Sequence, residues 1–362
     1  MLLFHCKQDT GYAIGKLEHV FHQAAISAGF SEQRICYGYT ELSKPATKQL
    51  VKVDYYGRTA SSELSAVVAA SNIKTVLAFD LQYPAHIVGT LRRAGVTRIV
   101  SYWGASMSGL NTGLRLLAKR LEWFMRGHKP DLFVFESEGM RQTATHGRGI
   151  PQANTRVVHL GVDTSRYKPA PGTRYANEVL AIPKNRKIVF YSGHMEHRKG
   201  VHVIIEAAKI LVDEQGRSDV HFLICGNQAG EADHLKALLE DHDARRFVTF
   251  GGYRDDIPQL MQNATLGTIA STGWDSFTMS SIEMMACGLP IIVSDLPGLR
   301  ETVCHGETGY TFEAGDQRAL ARLIATVIDD PDLLQRLADA ARNRAVDRFS
   351  QERQIEHLAS LL

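Results

Sequence analysis

The sequence predicts an α/β protein made of two Rossmann-like, doubly wound lobes that face each other across a cleft. Three observations support this fold class. A chain of 362 residues suits two domains, each able to bury a core. Short apolar runs alternate with longer amphipathic segments, which is typical of parallel sheets covered by helices. The whole pattern occurs twice, so each series of runs is expected to form one sheet.

The apolar runs give the expected strands. In the first lobe they are Leu2–Cys6, Arg34–Gly38, Thr75–Asp80, Arg98–Gly104, Asp131–Ser137 and Arg156–Gly161. In the second lobe they are Lys187–Gly193, Val220–Gly226, Phe247–Gly252, Leu266–Ser271 and Leu289–Asp295. Between the first two of these runs, apolar residues recur at intervals of three and four, which predicts a helix with one face on a sheet. They are Val201, Ile204, Ile205, Ala208, Leu211 and Val212.

Proline and glycine mark the junction between the lobes. The segment 167–173 (YKPAPGT) has two prolines and a glycine, and a second turn follows at Pro183. The predicted domains are therefore residues 1–161 and residues 162–345. The remaining segment, about 346–362, continues a helical pattern and is expected to pack back on the first lobe.

Composition excludes several functional classes. The chain has 41 basic and 39 acidic residues, too balanced for a surface that binds nucleic acid. Its five cysteines are odd in number and widely spaced, which favours a reducing cytoplasm over a disulfide framework or a zinc site. The apolar start is interrupted by His5 and Lys7, which is typical of a strand and not of a signal peptide. No run approaches the ~18 apolar residues that cross a bilayer, so any membrane contact is expected to be peripheral.

One segment leaves two alternatives open. Residues 114–126 (LRLLAKRLEWFMR) combine Arg115, Lys119, Arg120 and Arg126 with aromatic residues, as a helix on a membrane surface would. A helix packed on the sheet, with its basic side chains extended to solvent, explains the pattern equally well.

The most informative segment is 273–295 (GWDSFTMSSIEMMACGLPIIVSD). It predicts a polar turn after a strand, then a helix that ends at Gly288. Ligands of open parallel sheets bind at such turns, where helix N-terminal amides attract phosphate. The amides concerned belong to Ser276, Phe277, Thr278 and Met279. Asp275 and Glu283 are placed to face the same ligand; the alternative is a helix cap at Asp275 and a solvated carboxylate at Glu283.

These residues resemble a known family. Asp275, seven intervening residues, Glu283 and the segment 284–295 are similar to the motif of the family-four retaining glycosyltransferases, which have the GT-B fold. The segment 191–201 (YSGHMEHRKGV) resembles that family's glycine loop, which is followed by a phosphate-binding lysine. The segment 160–169 (LGVDTSRYKP) is a third similarity, and the three together span most of residues 157–316.

The resemblance implies a role for each matched residue. Lys199 would neutralise the donor diphosphate, Asp275 would contact hydroxyls of the donor sugar, and Glu283 would bind the ribose. A leaving diphosphate gains negative charge in the transition state, so a fixed cation aimed at it lowers the barrier. Gly193 would let the backbone approach a phosphate closely.

The sequence also departs from the family pattern. The family usually has a glutamate at the position of Asp275, and an arginine at the position of His194. Arg198 is expected to restore the missing positive charge, and His194 to remain part of the donor site.

Similarity in the first lobe is confined to the layout. Gly11 and Gly15, after the first strand, resemble the family's glycine-rich acceptor-side loop. Trp103 stands where many members have a histidine; it would either stack on a sugar or belong to the core.

The implied function is transfer of a hexosyl or N-acetylhexosaminyl group, with retention, from a UDP- or GDP-linked sugar to an acceptor hydroxyl. The product would be a polysaccharide, glycolipid or glycoconjugate, and the acceptor a sugar, a lipid-linked molecule or a small molecule. The first lobe would bind the acceptor and the second the donor.

No cofactor and no metal are expected, because the sequence has no metal-spaced histidine cluster. The alternatives are a sugar-nucleotide epimerase of the same fold and a catalytically silent nucleotide-binding homologue. The expected location is the cytoplasm, with the inner face of the membrane as a further possibility.

Overall fold

Two parallel β-sheets, each covered by helices, organise the chain. The structure is a computed structural model that describes residues 1–5, 12–39, 50–53 and 62–362. The chain divides into a first unit, Met1–His159 with Gln351–Leu362, and a second unit, Leu160–Ser350. These limits lie a few residues from the predicted ones at 161/162 and about 345/346. The second limit is later than expected because the helix before it continues without a break to Phe349.

The first unit contains a sheet of seven parallel strands within the described residues. They are β1 (Leu2–His5), β2 (Cys36–Tyr39), β3 (Leu50–Lys52), β4 (Thr75–Phe79), β5 (Arg98–Trp103), β6 (Leu132–Phe135) and β7 (Thr155–Val157). The helices are α1 (Tyr12–Ser27), α2 (Ser62–Ala70), α3 (His86–Arg93), α4 (Gly113–Met125) and α5 (Glu138–Gln142). The spatial order is β3-β2-β1-β4-β5-β6-β7, so the direction of winding reverses between β1 and β4.

The second unit repeats this plan with six parallel strands. They are β8 (Lys187–Ser192), β9 (Val220–Cys225), β10 (Val248–Gly252), β11 (Leu266–Ile269), β12 (Ile291–Ser294) and β13 (Gly309–Phe312). The helices are α6 (Tyr175–Val179), α7 (Val201–Lys209), α8 (Asp233–Ala237), α9 (Ile257–Asn263), α10 (Met279–Ala286), α11 (Gln317–Asp329) and α12 (Pro331–Phe349). The order β10-β9-β8-β11-β12-β13 reverses between β8 and β11. This is the strand order of a dinucleotide-binding Rossmann fold.

The predicted fold class, two doubly wound α/β units, is confirmed. Each predicted strand overlaps an observed one, and the structure adds β3 and β13. The six apolar residues predicted for one helix face between 201 and 212 are all buried, as expected for a helix packed on a sheet.

The C-terminal residues belong to the first unit. A last helix, α13 (Gln351–Ala359), packs against α1 with Gln354 and Leu358 buried. The Arg98 guanidinium donates a hydrogen bond to the Leu361 carbonyl at 2.9 Å. This bond and the buried leucine fix the chain end to the first unit.

The alternative in which helix α4 packs on the sheet does not account for all of its apolar residues. Trp123 is buried, but Leu114, Leu117, Leu121 and Phe124 all point to solvent. Among the described residues, no helix combines the length and the apolar character that crossing a membrane requires.

His221 is a buried titratable group in the core of the second unit. It lies on β9, 3% exposed, with Nδ1 3.2 Å from the Arg186 guanidinium and Nε2 2.8 Å from the Thr249 hydroxyl. An arginine can only donate, so Nδ1 accepts and the imidazole is neutral with its proton on Nε2. Burial, with a smaller contribution from the positive charge of Arg186, lowers the pKa of His221 to about 4.

This pKa predicts a loss of stability in mild acid. The unfolded state takes up a proton near pH 6.5 and the folded state does not, so stability falls as the pH drops from 6.5 towards 4. We expect His221 to remove about 2 kcal/mol of unfolding free energy between pH 7 and pH 5. Denaturant unfolding of wild type and His221→Gln at both pH values measures this. Over this pH interval the variant should lose about 2 kcal/mol less unfolding free energy than wild type. Equal losses in the two proteins would contradict the assignment.

Candidate functional site

The site predicted from sequence lies where the winding of the second sheet reverses. The carboxyl ends of β8 and β11 lead into two loops, residues 193–200 and 270–278, that contact each other. Open α/β sheets bind ligands at this position, because the chain leaves neighbouring strands towards opposite faces and opens a crevice.

Lys199 and Asp275 meet at the centre of these loops. The Lys199 ammonium lies 2.9 Å from both carboxylate oxygens of Asp275, which is 5% exposed. The carboxylate also accepts hydrogen bonds from the Ser271 hydroxyl at 2.6 Å and the Ser276 amide at 3.0 Å. Four donor contacts thus hold one buried carboxylate, and two predicted site residues form a single ion pair.

Backbone contacts fix the relative position of the two loops. The Arg198 carbonyl accepts a hydrogen bond from the Thr272 amide at 2.8 Å, and the Arg198 guanidinium donates to the Trp274 carbonyl at 3.2 Å. Gly200 has φ +70°, and a Cβ there would lie 1.7 Å from the Ala270 carbonyl oxygen. Only glycine fits this position, because it both adopts the left-handed conformation and leaves room for the neighbouring strand end.

The Tyr191 side chain packs against the first loop, residues 193–200, and holds it in position. It is 2% exposed on β8, and its hydroxyl donates to the His194 carbonyl at 2.8 Å. A Cβ at Gly193 would lie 2.7 Å from the same hydroxyl oxygen, so the loop glycine is required by close approach of this ring. Burial raises the pKa of Tyr191 well above its usual value, and the negative charges of Asp275 and Glu196 raise it further. Tyr191 is therefore a neutral hydrogen-bond donor under the loop.

The second loop ends at the N-terminus of α10. Thr278 occupies the N-cap but makes no side-chain cap; its hydroxyl lies 2.6 Å from the Ser281 hydroxyl. Met279 is the first helical residue. The Phe277 ring is 1% exposed and packs edge-on against Phe349 at 5.0 Å, so only its backbone can contribute to a ligand site.

The structure excludes both alternatives, the helix cap at Asp275 and the solvated carboxylate at Glu283. Asp275 is not the helix cap, since Thr278 is the N-cap and the Asp275 oxygens are bound to Lys199, Ser271 and Ser276. Glu283 is not a solvated surface residue, since it is 6% exposed in α10. It lies near Cys287: burial, with a smaller contribution from the charge of Glu283, raises the pKa of the Cys287 thiol to about 12.

Other predicted residues occupy different surroundings. Arg198 is partly exposed and forms an ion pair with Glu196 at 2.7 Å, so its charge is already shared within the loop. Gly11 lies outside the described residues. Gly15 is not in a loop: α1 begins at Tyr12, and Gly15 is exposed inside that helix.

Trp103 lies in the core of the first unit. Its side chain is 6% exposed among aromatic residues that include Phe133, and its indole N–H donates to the Ser101 hydroxyl at 2.8 Å. The core alternative therefore describes Trp103, and the expected acceptor-side stacking is not supported.

Several residues that build the site were not predicted from sequence. Ser271 binds Asp275, Tyr191 holds the glycine loop, and the Gly298 region packs on the backbone of Ser276. Ser271 and Tyr191 stand at the carboxyl ends of apolar strands, which is a usable signal. The contact between Gly298 and Ser276 could not be identified from the local sequence, because the two residues lie in loops that follow different strands.

A cavity of about 480 Å³ opens beside this site, at the carboxyl ends of β9 and β10. It is lined by Asn227, Gln228, Ala229, Gly230, Lys236, Gly252 and Tyr253. Tyr253 is 64% exposed, which leaves a ring face available to a planar ligand.

Two carboxyl groups in the first unit, the partly buried Asp80 and the buried Glu136, were also missed. Asp80 follows β4 and accepts a hydrogen bond from the Gly104 amide at 3.1 Å; burial raises its pKa to about 6. Glu136 follows β6; burial and the charge of Asp80 raise its pKa to about 8. Glu136 therefore holds a proton at neutral pH. Within the described ranges, no three His, Cys, Asp or Glu side chains are grouped closely enough to hold a metal ion.

Comparison with known proteins agrees with the sequence resemblance. Residues 174–344 match the family described as glycosyl transferases group 1. The D-inositol 3-phosphate glycosyltransferase of Corynebacterium urealyticum is 26% identical over 239 residues, which cover 64% of this chain and 56% of that protein. The chain thus spans about half the length of the curated relatives it matches.

Solved structures share the fold. A glycosyltransferase of Rickettsia africae superimposes with a TM-score of 0.81 at 17% identity, over 99% of this chain and 97% of that one. The Anabaena protein HepE, solved in complex with UDP, gives a TM-score of 0.77 at 21% identity, over 99% and 98%. The expected GT-B fold is therefore confirmed.

The loop contact at Gly200 predicts a large effect from one added methyl group. Gly200→Ala would place a Cβ against the Ala270 carbonyl in a left-handed conformation, whereas Gly216→Ala has the same conformation, φ +68°, and no neighbour within 4 Å. Gly216→Ala should cost about 1 kcal/mol of unfolding free energy, and Gly200→Ala at least about 3 kcal/mol. Denaturant unfolding of the two variants measures the difference. Equal costs would mean that the loops are not in contact.

Proposed function

Because residues 174–344 match the family described as glycosyl transferases group 1, we propose that this protein transfers a glycosyl group from a nucleoside-diphosphate sugar to an acceptor hydroxyl, with retention of configuration. The bond between the anomeric carbon and the diphosphate oxygen breaks, and a bond from the acceptor oxygen to that carbon forms on the same face. The acceptor proton goes to the departing phosphate oxygen, so no protein nucleophile is needed.

The bidentate contact between Lys199 and Asp275 carries the proposal. A lysine ammonium close to a helix N-terminus is a suitable place for a diphosphate. The incoming diphosphate takes the Lys199 ammonium from Asp275, whose oxygens then accept hydrogen bonds from the donor sugar. Ser271 and the Ser276 amide continue to hold the carboxylate during this exchange.

The remaining donor contacts extend in both directions from this centre. Glu283 binds the ribose hydroxyls, and the backbone at Gly193 and His194 borders the diphosphate. We place the nucleobase in the cavity beside Asn227, against the ring of Tyr253. Lys199 then stabilises the charge that grows on the leaving group.

The proposal includes no metal and no cofactor other than the sugar nucleotide. Lys199, Arg198 and the α10 amides supply the positive potential that a divalent cation would otherwise supply. The acceptor is a sugar, a lipid-linked molecule or a small molecule bound by the first unit. We place the protein in the cytoplasm or at the inner face of the membrane.

A panel of UDP-, GDP- and ADP-sugars tests the proposal. A bound donor should raise the unfolding temperature, by more at higher donor concentration, and turnover should persist in excess EDTA. Conversion of the sugar nucleotide without an acceptor would indicate an epimerase, and binding without turnover a silent homologue. No shift with any donor would contradict the proposed site, and loss of turnover in EDTA with recovery in magnesium would contradict the metal-free reaction.

Kinetics should separate the roles of Lys199 and Glu283. Lys199 faces charge that appears during bond cleavage, so Lys199→Ala should lower kcat by ~10²-fold or more. Glu283→Gln weakens contacts already present in the bound donor, so donor binding should weaken by ~10-fold with a smaller change in kcat. Steady-state assays over a range of donor concentrations measure both.

The matched control is Lys209→Ala. Lys209 also forms an ion pair on the second unit, 2.7 Å from Glu206, but it is the last residue of α7, at the end away from the two loops. Its loss should leave kcat and donor binding unchanged. Circular dichroism must show that all three variants are folded, since removing Lys199 leaves a buried carboxylate with fewer partners. Wild-type kinetics in folded Lys199→Ala would contradict the role of the ion pair.

A further inference from the structure

Helix α4 presents an unusual surface in the first unit. Five of its apolar side chains are more than half exposed: Leu114 84%, Leu117 61%, Leu121 58%, Phe124 73% and Met125 72%. We call these five residues the α4 apolar face. With Leu110 they are six of the twelve large apolar side chains that are exposed in the described part of the chain. Their concentration on one helix distinguishes them from the single apolar residues that any surface carries.

The opposite side of the same helix is anchored in the core. Trp123 is 5% exposed and packs edge-on against Tyr83 at 5.0 Å and Phe133 at 6.0 Å. At about 100° per residue, Leu114, Leu117 and Leu121 lie on the side away from Trp123. Trp123 therefore fixes the rotation of α4 about its axis, and in this orientation the apolar face is exposed to solvent.

Basic residues border this face. The segment 113–126 has four of them, Arg115, Lys119, Arg120 and Arg126, against one acid, Glu122, in a chain whose overall net charge is only +2. Glu122 is shared by Lys119 at 2.7 Å and Arg126 at 2.6 Å. Arg115 and Arg120 are exposed and form no ion pair with any residue in the described ranges. On the helix wheel these two arginines fall on opposite flanks of the apolar face.

We propose that the α4 apolar face docks the protein on a bilayer surface that contains anionic phospholipids. The leucines, Phe124 and Met125 enter the boundary between headgroups and acyl chains, and Arg115 and Arg120 lie at the level of the lipid phosphates. An interfacial helix has this arrangement, with leucine and phenylalanine on one face and lysine and arginine around it.

Charge argues against a second copy of the chain as the occupant. In a two-fold dimer the same face meets itself, so the excess positive charge of both helices would lie side by side. A surface with negative charge complements this border instead. The proposal does not depend on the transfer reaction, because vesicle binding is measured without donor or acceptor.

Co-sedimentation with vesicles tests the proposal. Wild type should bind vesicles of phosphatidylcholine with phosphatidylglycerol and bind pure phosphatidylcholine several-fold less. The variant Leu117→Ser/Leu121→Ser should lower the partition coefficient at least tenfold, because it removes two inserted side chains. Val179→Ser/Val346→Ser is the matched control: it removes two exposed apolar side chains, 45% and 38% exposed, from the second unit. It should bind as wild type does.

A second variant separates charge from apolar insertion. Arg115→Gln/Arg120→Gln should reduce binding to the anionic vesicles several-fold and leave binding to phosphatidylcholine unchanged. All variants alter exposed side chains, so their unfolding temperatures should match wild type. Failure of wild type to bind the anionic vesicles, or equal binding by Leu117→Ser/Leu121→Ser, would overturn the proposal. A dimer detected by light scattering that Leu117→Ser/Leu121→Ser dissociates would also overturn the proposal, because the α4 apolar face would then bind a second copy of the chain.

Discussion

The close approach of two loops at the reversal of the second sheet is the constraint on which the candidate site depends. Gly200 packs directly on the backbone at Ala270, and the Arg198 carbonyl bonds the Thr272 amide. Because these contacts involve backbone, they fix the start of α7 relative to the end of β11 whatever the surrounding side chains are. Lys199 immediately precedes Gly200, so the same contact aims its ammonium at Asp275.

The ion pair formed in this way is suited to ligand exchange. A buried pair gains little stability over an apolar substitute, because both charges lose their hydration. Asp275 keeps two further donors, Ser271 and the Ser276 amide, when its cation moves. The carboxylate is therefore held in position before and after the exchange. Polar groups held in advance reduce the reorganisation that a reaction requires.

The sequence predicts the second unit better than the first. Strand-end glycines, the segment after Asp275 and the spacing to Glu283 are local signals, and they locate the loops without a structure. The pairing of Lys199 with Asp275 is not local: the residues are 76 positions apart and meet only through the sheet order. In the first unit, Trp103 stands at a strand end like the site residues, yet its indole turns into the core, because a β-strand directs successive side chains to opposite faces.

The two units also differ in what fixes their polar groups. In the second unit, the Asp275 carboxylate is held by a cation, a hydroxyl and a backbone amide. In the first unit, burial raises the pKa of Asp80, and burial together with the charge of Asp80 raises the pKa of Glu136. A substitution nearby changes such a pair through the local dielectric as well as through contacts. Asp275 is thus positioned by specific partners, whereas the protonation of Glu136 depends on its burial and on one neighbouring carboxylate.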